Sequence, residues 1–283
     1  MLTETDIYKF DLNGYIILKN ALSTNEIKQL ETELEAIPNI EPNQWHGHIH
    51  REQYANAAKR GTSYQQIYEA GPGFQRLIDH PAYIDHVKHF IGNQDDFDAY
   101  LAPVYIDECF ALKCEKGEHI GLHSGGYKRT KRTQFRFHNG NFHCGQINVF
   151  IPLTDIGPCD GATLVIPGSH KGNFKLPEGS NKSEATRKAL GAIEVHLNKG
   201  DVLLFVDAIC HGSVARINEG ERRVVIYRFG PGWGNSRYGY LPSKELVERL
   251  SDEQRKIVQP QTYRLPPDLN AQNLKDGLEL TSP

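Results

Sequence analysis

Gly161-Ala162-Thr163-Leu164-Val165-Ile166-Pro167-Gly168-Ser169-His170-Lys171 is the stretch whose reading decides the fold. Thr163–Ile166 is a run of β-branched and aliphatic side chains, which favours an extended strand, and it stands between the turn formers Gly161 and Pro167-Gly168. Short runs of the same texture recur on both sides, at Leu101–Ile106, Phe110–Lys113, Gln146–Leu153, Val202–Val206 and Val224–Phe229. Strands this short, separated by turn residues, predict an antiparallel sandwich or barrel in preference to alternating βαβ units.

Outward from this core the texture changes. Gly14-Tyr15-Ile16-Ile17-Leu18 reads as a turn feeding a strand. Ser23 then caps a helix, with Glu26 three residues on as in a capping box and Ile27, Leu30 and Leu34 at helical spacing. Residues 39–63 are polar, and an extended chain there would put His46, His48 and His50 on one face, although a lid or surface loop is the preferred reading. A second helix is predicted from Phe74 to Phe90, a helical insertion at 178–190, and one amphipathic helix over Ser243–Val258 before a Pro-rich tail. The expectation is one domain over 1–283: a strand and helical or lid region to 99, a β core at 100–235, and a C-terminal helix and tail at 236–283.

The chain has 283 residues, 39% hydrophobic and 24% charged, with a net charge of −3. These are values of an ordinary globular protein and argue against nucleic-acid or membrane partners. No apolar run has the length of a membrane span, and the N-terminus lacks the basic-then-apolar form of a signal peptide. Five cysteines without a CxxC point to free thiols and a cytoplasmic location. One local exception to the scattered charge is Lys128-Arg129-Thr130-Lys131-Arg132, placed soon enough after His123 to meet an anionic substrate.

The chemistry centres on Leu122-His123-Ser124-Gly125-Gly126 and Cys210-His211-Gly212-Ser213. Two histidines at the ends of strand-like segments suit a mononuclear metal site, and iron oxygenases pair two histidines with a carboxylate on one face of the metal. Arg222, eleven residues after His211, opens a strand and offers a guanidinium that clamps a carboxylate with two charge-assisted hydrogen bonds. Ser213 offers a hydroxyl to the same group. His170, His138, His143 and His196 default to structural roles, and Cys210 to the core.

Ile166-Pro167-Gly168-Ser169-His170-Lys171, the lead-in Asp201-Val202-Leu203-Leu204-Phe205, His211-Gly212-Ser213 with Arg222, and the opening Gly14–Leu18 together resemble the phytanoyl-CoA dioxygenase family over most of residues 10–235. The resemblance implies a mainly β fold with flanking α-helices, a double-stranded β-helix (jelly roll, cupin-like). It also implies Fe(II), 2-oxoglutarate and O2 as cofactor and cosubstrates. By the same resemblance His123 and His211 become iron ligands and Arg222 and Ser213 become 2-oxoglutarate contacts, with Gln146, Asn148 and Lys113 as further candidates.

One position departs from the family pattern. Gly125 stands where most of the family carries the aspartate of His-x-Asp. Three explanations compete: water or chloride at an open coordination position, as in the iron halogenases that resemble this family; Asp207 as a third ligand; or a ligand-binding protein without redox chemistry. In full extension the four residues from Asp207 to His211 would separate their Cα atoms by roughly 13 Å, so a bend is needed to bring that carboxylate close. The expected activity is oxidation of an aliphatic C–H bond of a small molecule, anionic or zwitterionic, by hydroxylation or a follow-on dealkylation or desaturation. Halogenation is the alternative. The segment from Trp45 to Tyr64 and the loop from Tyr127 to Phe142 are expected to cover the site.

Overall fold

A computed structural model of the chain describes residues 1–53, 61–92, 103–117, 119–232, 234 and 240–259. It opens with helix α1 (Glu4–Asn13), where the sequence suggested only a turn before the first strand. The signal for it is a capping box: Thr3 Oγ1 accepts from the Asp6 amide at 3.1 Å and the Asp6 carboxylate accepts from the Thr3 amide at 3.1 Å. Gly14, at φ 80°, ends α1 and releases the chain into β1 (Tyr15–Leu18). Helix α2 (Thr24–Glu35) carries the expected Ser23–Glu26 capping box and buries Ile27, Leu30 and Leu34.

The polar stretch after α2 is ordered into strands: β2 (Trp45–His46), β3 (Ile49–Glu52) and β4 (Thr62–Gln65). Trp45 pairs with His50 and His46 with Ile49 across a turn at Gly47, so His46 and His50 lie on opposite faces and the three histidines form no common cluster. The predicted helix at 74–90 is two helices, α3 (Pro72–Arg76) and α4 (Ile84–Ile91). Pro81 lies between them, and a proline lacks the N–H and the space that a continuous helix needs.

The core strands follow: β5 (Val104–Cys114), which joins two predicted runs into one, β6 (Ile120–His123), the small hairpin β7 (Phe137–His138) and β8 (Asn141–Phe142), β9 (Ile147–Pro152) and β10 (Thr163–Ile166). Helix α5 (Glu184–Ala189), capped by Ser183, leads to β11 (Ile193–Val195), β12 (Val202–Val206), β13 (Cys210–Ser213) and β14 (Arg222–Pro231). The predicted C-terminal helix is also divided, into α6 (Lys244–Arg249) and α7 (Asp252–Val258), because Leu250 is extended and Ser251 starts a new capping box with Gln254. The Pro-rich tail from residue 260 lies outside the described residues.

Two antiparallel sheets face each other. The larger has the order β1-β12-β9-β14-β5-β4-β3-β2, and the smaller β11-β10-β13-β6. Non-sequential neighbours in both sheets and the short β12–β13 turn that passes between them give the jelly roll expected from the sequence. The core is aliphatic and aromatic, with Ile147, Val149, Ile151, Leu203, Val225 and Tyr227 fully buried on the larger sheet. Among the described residues no helix is long and apolar enough to cross a membrane.

Candidate active site

His123 and His211 are direct cross-strand partners at the end of β6 and the start of β13. Partners in an antiparallel pair project to the same face, and here the ring centroids are 4.3 Å apart. Each imidazole is oriented by the carbonyl two residues before it: Nδ1 of His123 lies 2.9 Å from the Gly121 oxygen and Nδ1 of His211 lies 2.8 Å from the Ile209 oxygen. A carbonyl only accepts, so both Nδ1 atoms carry the proton and both Nε2 lone pairs are free. A histidine whose Nδ1–H is held by a carbonyl in this way presents Nε2 for binding a metal.

The surroundings hold both rings neutral. Burial lowers the pKa of His123, and the cations of Lys128 and Arg132 press the same way, against the Asp207 carboxylate. Burial and the neighbouring His123 push His211 well below the usual imidazole range, again opposed by Asp207.

A cavity of about 170 Å³ lies between the sheets beside this pair. The smaller sheet contributes Ile120, His123, Thr163, His211 and Ser213, and the larger contributes Phe110, Asn148, Phe150, Phe205, Arg222 and Arg228. Arg222 is 6% exposed and has no carboxylate partner among the described residues. Its Nη1 donates to the Gly161 carbonyl, while the buried Nε has no hydrogen-bond partner. A guanidinium kept in the interior with donors unused is a fitting receptor for a carboxylate. Ser213 Oγ accepts from the Ile120 amide at 3.2 Å, which leaves its own hydroxyl proton to donate.

The structure thus brings His123, His211, Ser213, Arg222 and Asn148 to one cavity. Two candidates from the sequence do not line it. Lys113 alternates with Leu112 and Cys114 on β5, so it projects from the opposite face, with its ammonium 5.7 Å from the Tyr64 ring centroid. Gln146 is fully buried and donates to Asp107 at 3.0 Å. Arg228, not singled out from the sequence, does line the cavity. It donates from Nε to Asn148 Oδ1 at 3.0 Å and pairs with Glu108. Its place six residues after Arg222 on the same strand, hence on the same face, was the available signal.

Asp207 lies in the β12–β13 turn, where the Ile209 amide bonds to the Val206 carbonyl at 2.9 Å. The chain reverses there instead of running extended, which removes the separation that full extension would impose. The Asp207 carboxylate is buried, 3.5 Å from Asn148 Nδ2 and 3.6 Å from Arg132 Nε. Among the described residues no three His, Cys, Asp or Glu side chains gather as a metal-binding group.

Strand β6 ends at His123, and Ser124 and Gly125 both take positive φ, 65° and 111°. The strand periodicity that relates positions i and i+2 therefore does not extend to Gly125. A Cβ there would stand 3.0 Å from two carbons of the Tyr127 ring.

The loop after β10 explains its own sequence. Ser169 Oγ accepts from the Cys210 amide at 2.7 Å and donates to the Ile166 carbonyl at 2.6 Å, which fixes the start of β13 one residue before His211. His170 is structural, as expected. It is 2% exposed, its Nε2 lies 3.1 Å from the Asp11 carbonyl, and its ring fills the space over Gly14. The segments that carry the family resemblance thus form one packed unit that joins α1, β1 and the strand that carries His211.

Solved structures with this architecture include HygX from Streptomyces hygroscopicus with nickel and 2-oxoglutarate bound, at TM-score 0.68 and 23% identity over 87% of this chain and 94% of that one. The same protein with iron bound matches at TM-score 0.65 and 22% identity, covering 88% of this chain and 94% of that chain. The non-heme alpha ketoglutarate dependent carbocyclase SnoK from nogalamycin biosynthesis matches at TM-score 0.60 and 16% identity, over 93% and 94%. These likenesses establish the fold class. No curated protein sequence matches the chain.

The family model for phytanoyl-CoA dioxygenase matches residues 10–224, and the chain belongs to that family. It is accordingly an Fe(II)- and 2-oxoglutarate-dependent enzyme.

Proposed function

We propose that His123 and His211 hold Fe(II) through Nε2, and that Arg222 and Ser213 take the distal carboxylate of 2-oxoglutarate. The observation that carries this reading is the Arg222 guanidinium: it is buried, its Nε is unpartnered, and it shares a cavity with two histidines whose Nε2 atoms are free. Fe(II) with 2-oxoglutarate and O2 supplies the oxidation of an aliphatic C–H bond to C–OH, with succinate and CO2 as co-products. Dealkylation or desaturation follows where the substrate directs it. Asn148 and Arg228 form part of the wall of this cavity, and the apolar Phe110, Phe150 and Phe205 would exclude water from it.

The substrate is a small molecule with an anionic or zwitterionic group. Lys128 supports this, since its cation acts on His123, while the Arg132 guanidinium is turned to the Asp207 carboxylate. Asp207 is the candidate for a third protein ligand, and water or an exogenous anion is the alternative at the position that Gly125 leaves without a side chain. The five free thiols fit a reducing compartment, the cytoplasm.

The test is anaerobic addition of Fe(II) and 2-oxoglutarate, followed through the weak visible charge-transfer band of the chelated keto acid. The band is expected in the native protein and is lost in His123→Ala. A protein that shows no band, or a band unchanged in His123→Ala, overturns the site assignment. Chloride is the second arm: a band that shifts with chloride, together with a halogenated product, would replace hydroxylation by halogenation.

A further inference from the structure

A second hollow, about 430 Å³, opens on the other side of His123. One wall is the end of β6 with Leu122, His123, Ser124 and Tyr127, and the other is the segment from Lys175 to Lys182. His123 lines both this groove and the cavity that holds Arg222, so the two spaces meet at one imidazole.

The far wall is built and held in place. Asn181 uses both ends of its amide on one residue of β6, accepting from the Leu122 amide at 2.7 Å and donating to the Leu122 carbonyl at 3.1 Å. These are the two bonds that a neighbouring strand would make, so a single side chain closes the open edge of the smaller sheet beside His123. A turn fixes the rest of the segment, with the Lys182 amide bonded to the Gly179 carbonyl at 2.9 Å and the Ser180 hydroxyl to the Pro177 carbonyl. The largely buried Arg187 donates to the Asn181 carbonyl at 3.4 Å.

The chemistry of the groove is a cationic rim over an apolar floor. Lys175 and Lys182 stand on the far wall, against one carboxylate, Glu178, and neither lysine is paired with an acid among the described residues. The Arg129 guanidinium bonds to the Asn173 carboxamide at 3.1 Å and ties the basic loop to the segment that leads into the far wall. Tyr127, Leu176 and Pro177 supply the apolar surface.

We propose that this groove is the substrate-anchoring subsite, and that it takes an oxyanion, a carboxylate or a phosphate, attached to an apolar body that lies against Tyr127 and Leu176. The inference rests on the iron-oxygenase reading only for the word substrate. The anion site itself stands on the groove. Lys175 and Lys182 hold the anion, and Asn181 is a positioning residue that keeps their wall in register with His123.

The test uses the full-length protein loaded with Ni(II) and 2-oxoglutarate, so that the inner cavity is filled. Benzoate, phenyl phosphate and the neutral benzyl alcohol are titrated calorimetrically at low ionic strength, where exposed charge pairs are least screened. At least one of the two anions is expected to bind and the alcohol not to, and which anion binds separates carboxylate from phosphate recognition. Lys175→Ala/Lys182→Ala, at two exposed positions that leave the fold intact, should weaken binding about three- to tenfold. Absence of binding by both anions, equal binding of the alcohol, or an unchanged double variant overturns the proposal. Arg222→Met separates the two readings. It should lose 2-oxoglutarate and keep the anion. A native protein that binds the anion in a lysine-dependent way, yet binds no keto acid, would sink the oxygenase site and leave the groove standing.

Discussion

Arg222→Met should leave the unliganded protein about as stable as the native one while abolishing its response to 2-oxoglutarate. The guanidinium is 6% exposed and donates to one carbonyl, and no carboxylate among the described residues repays its desolvation. Burial accordingly lowers its pKa. Replacing a poorly compensated interior charge with an apolar side chain of similar length is commonly worth about 1–4 kcal/mol in stability. The lost charge-assisted bond to Gly161 returns about 1.5–3 kcal/mol of that. The two effects nearly cancel, so the stability of the metal-free protein in urea unfolding should stay within about 2 kcal/mol of the native value. In the native protein, 2-oxoglutarate at a hundredfold excess over its dissociation constant should add about 2.7 kcal/mol, by mass action alone. In the variant that increment should vanish. A variant that 2-oxoglutarate stabilises as much as it does the native protein would refute the placement of the distal carboxylate on Arg222. A variant destabilised by several kcal/mol would refute the argument that the guanidinium is held against its own solvation.

Two further outcomes follow from the same geometry. Gly125→Asp should not restore a three-residue metal site: at φ 111° a side chain is strained and meets the Tyr127 ring at 3.0 Å, so unfolding experiments should show a loss of about 1–3 kcal/mol with no gain in Fe(II) affinity. Stability should also fall as pH drops, because burial holds His170 at about 4 against an ordinary 6.5. Through that window the unfolded chain binds the extra proton, so this contribution is complete above 6.5, is lost progressively towards 4, and amounts to about 3 kcal/mol, which His170→Gln should flatten in pH-dependent urea titrations.

The strands were legible where the side chains were β-branched and bounded by turn formers, as at Thr163–Ile166, because burial on both faces leaves an apolar run that no other element explains as well. Thr62-Ser63-Tyr64-Gln65 carries no such run, yet it is β4, since its extended form is imposed by pairing with β5. The capping box at Thr3 was hidden in a terminus read only for its charge. In the site, the histidines and Arg222 stood out through their places on strand-like runs together with the family resemblance of the segments around them, and they line one cavity. Lys113 and Gln146 could not be placed, because deciding which face a residue takes needs the placement of its neighbours, Leu112 and Cys114 for Lys113 and Asp107, also on β5, for Gln146. Asn181 had no signal at all. Its role comes from a partner 59 positions away along the chain.

That asparagine has a consequence for the behaviour of the protein at high concentration. An uncovered strand edge is a template on which other chains assemble, and proteins usually blunt it with charge, proline or a bulge. Here the blunting device is one uncharged side chain, set beside His123, the proposed iron ligand. The pressure to keep copies of the enzyme apart and the pressure to keep it active therefore fall on the same position, and a chain that loses Asn181 would be exposed to intermolecular strand pairing as well as to a misplaced His123.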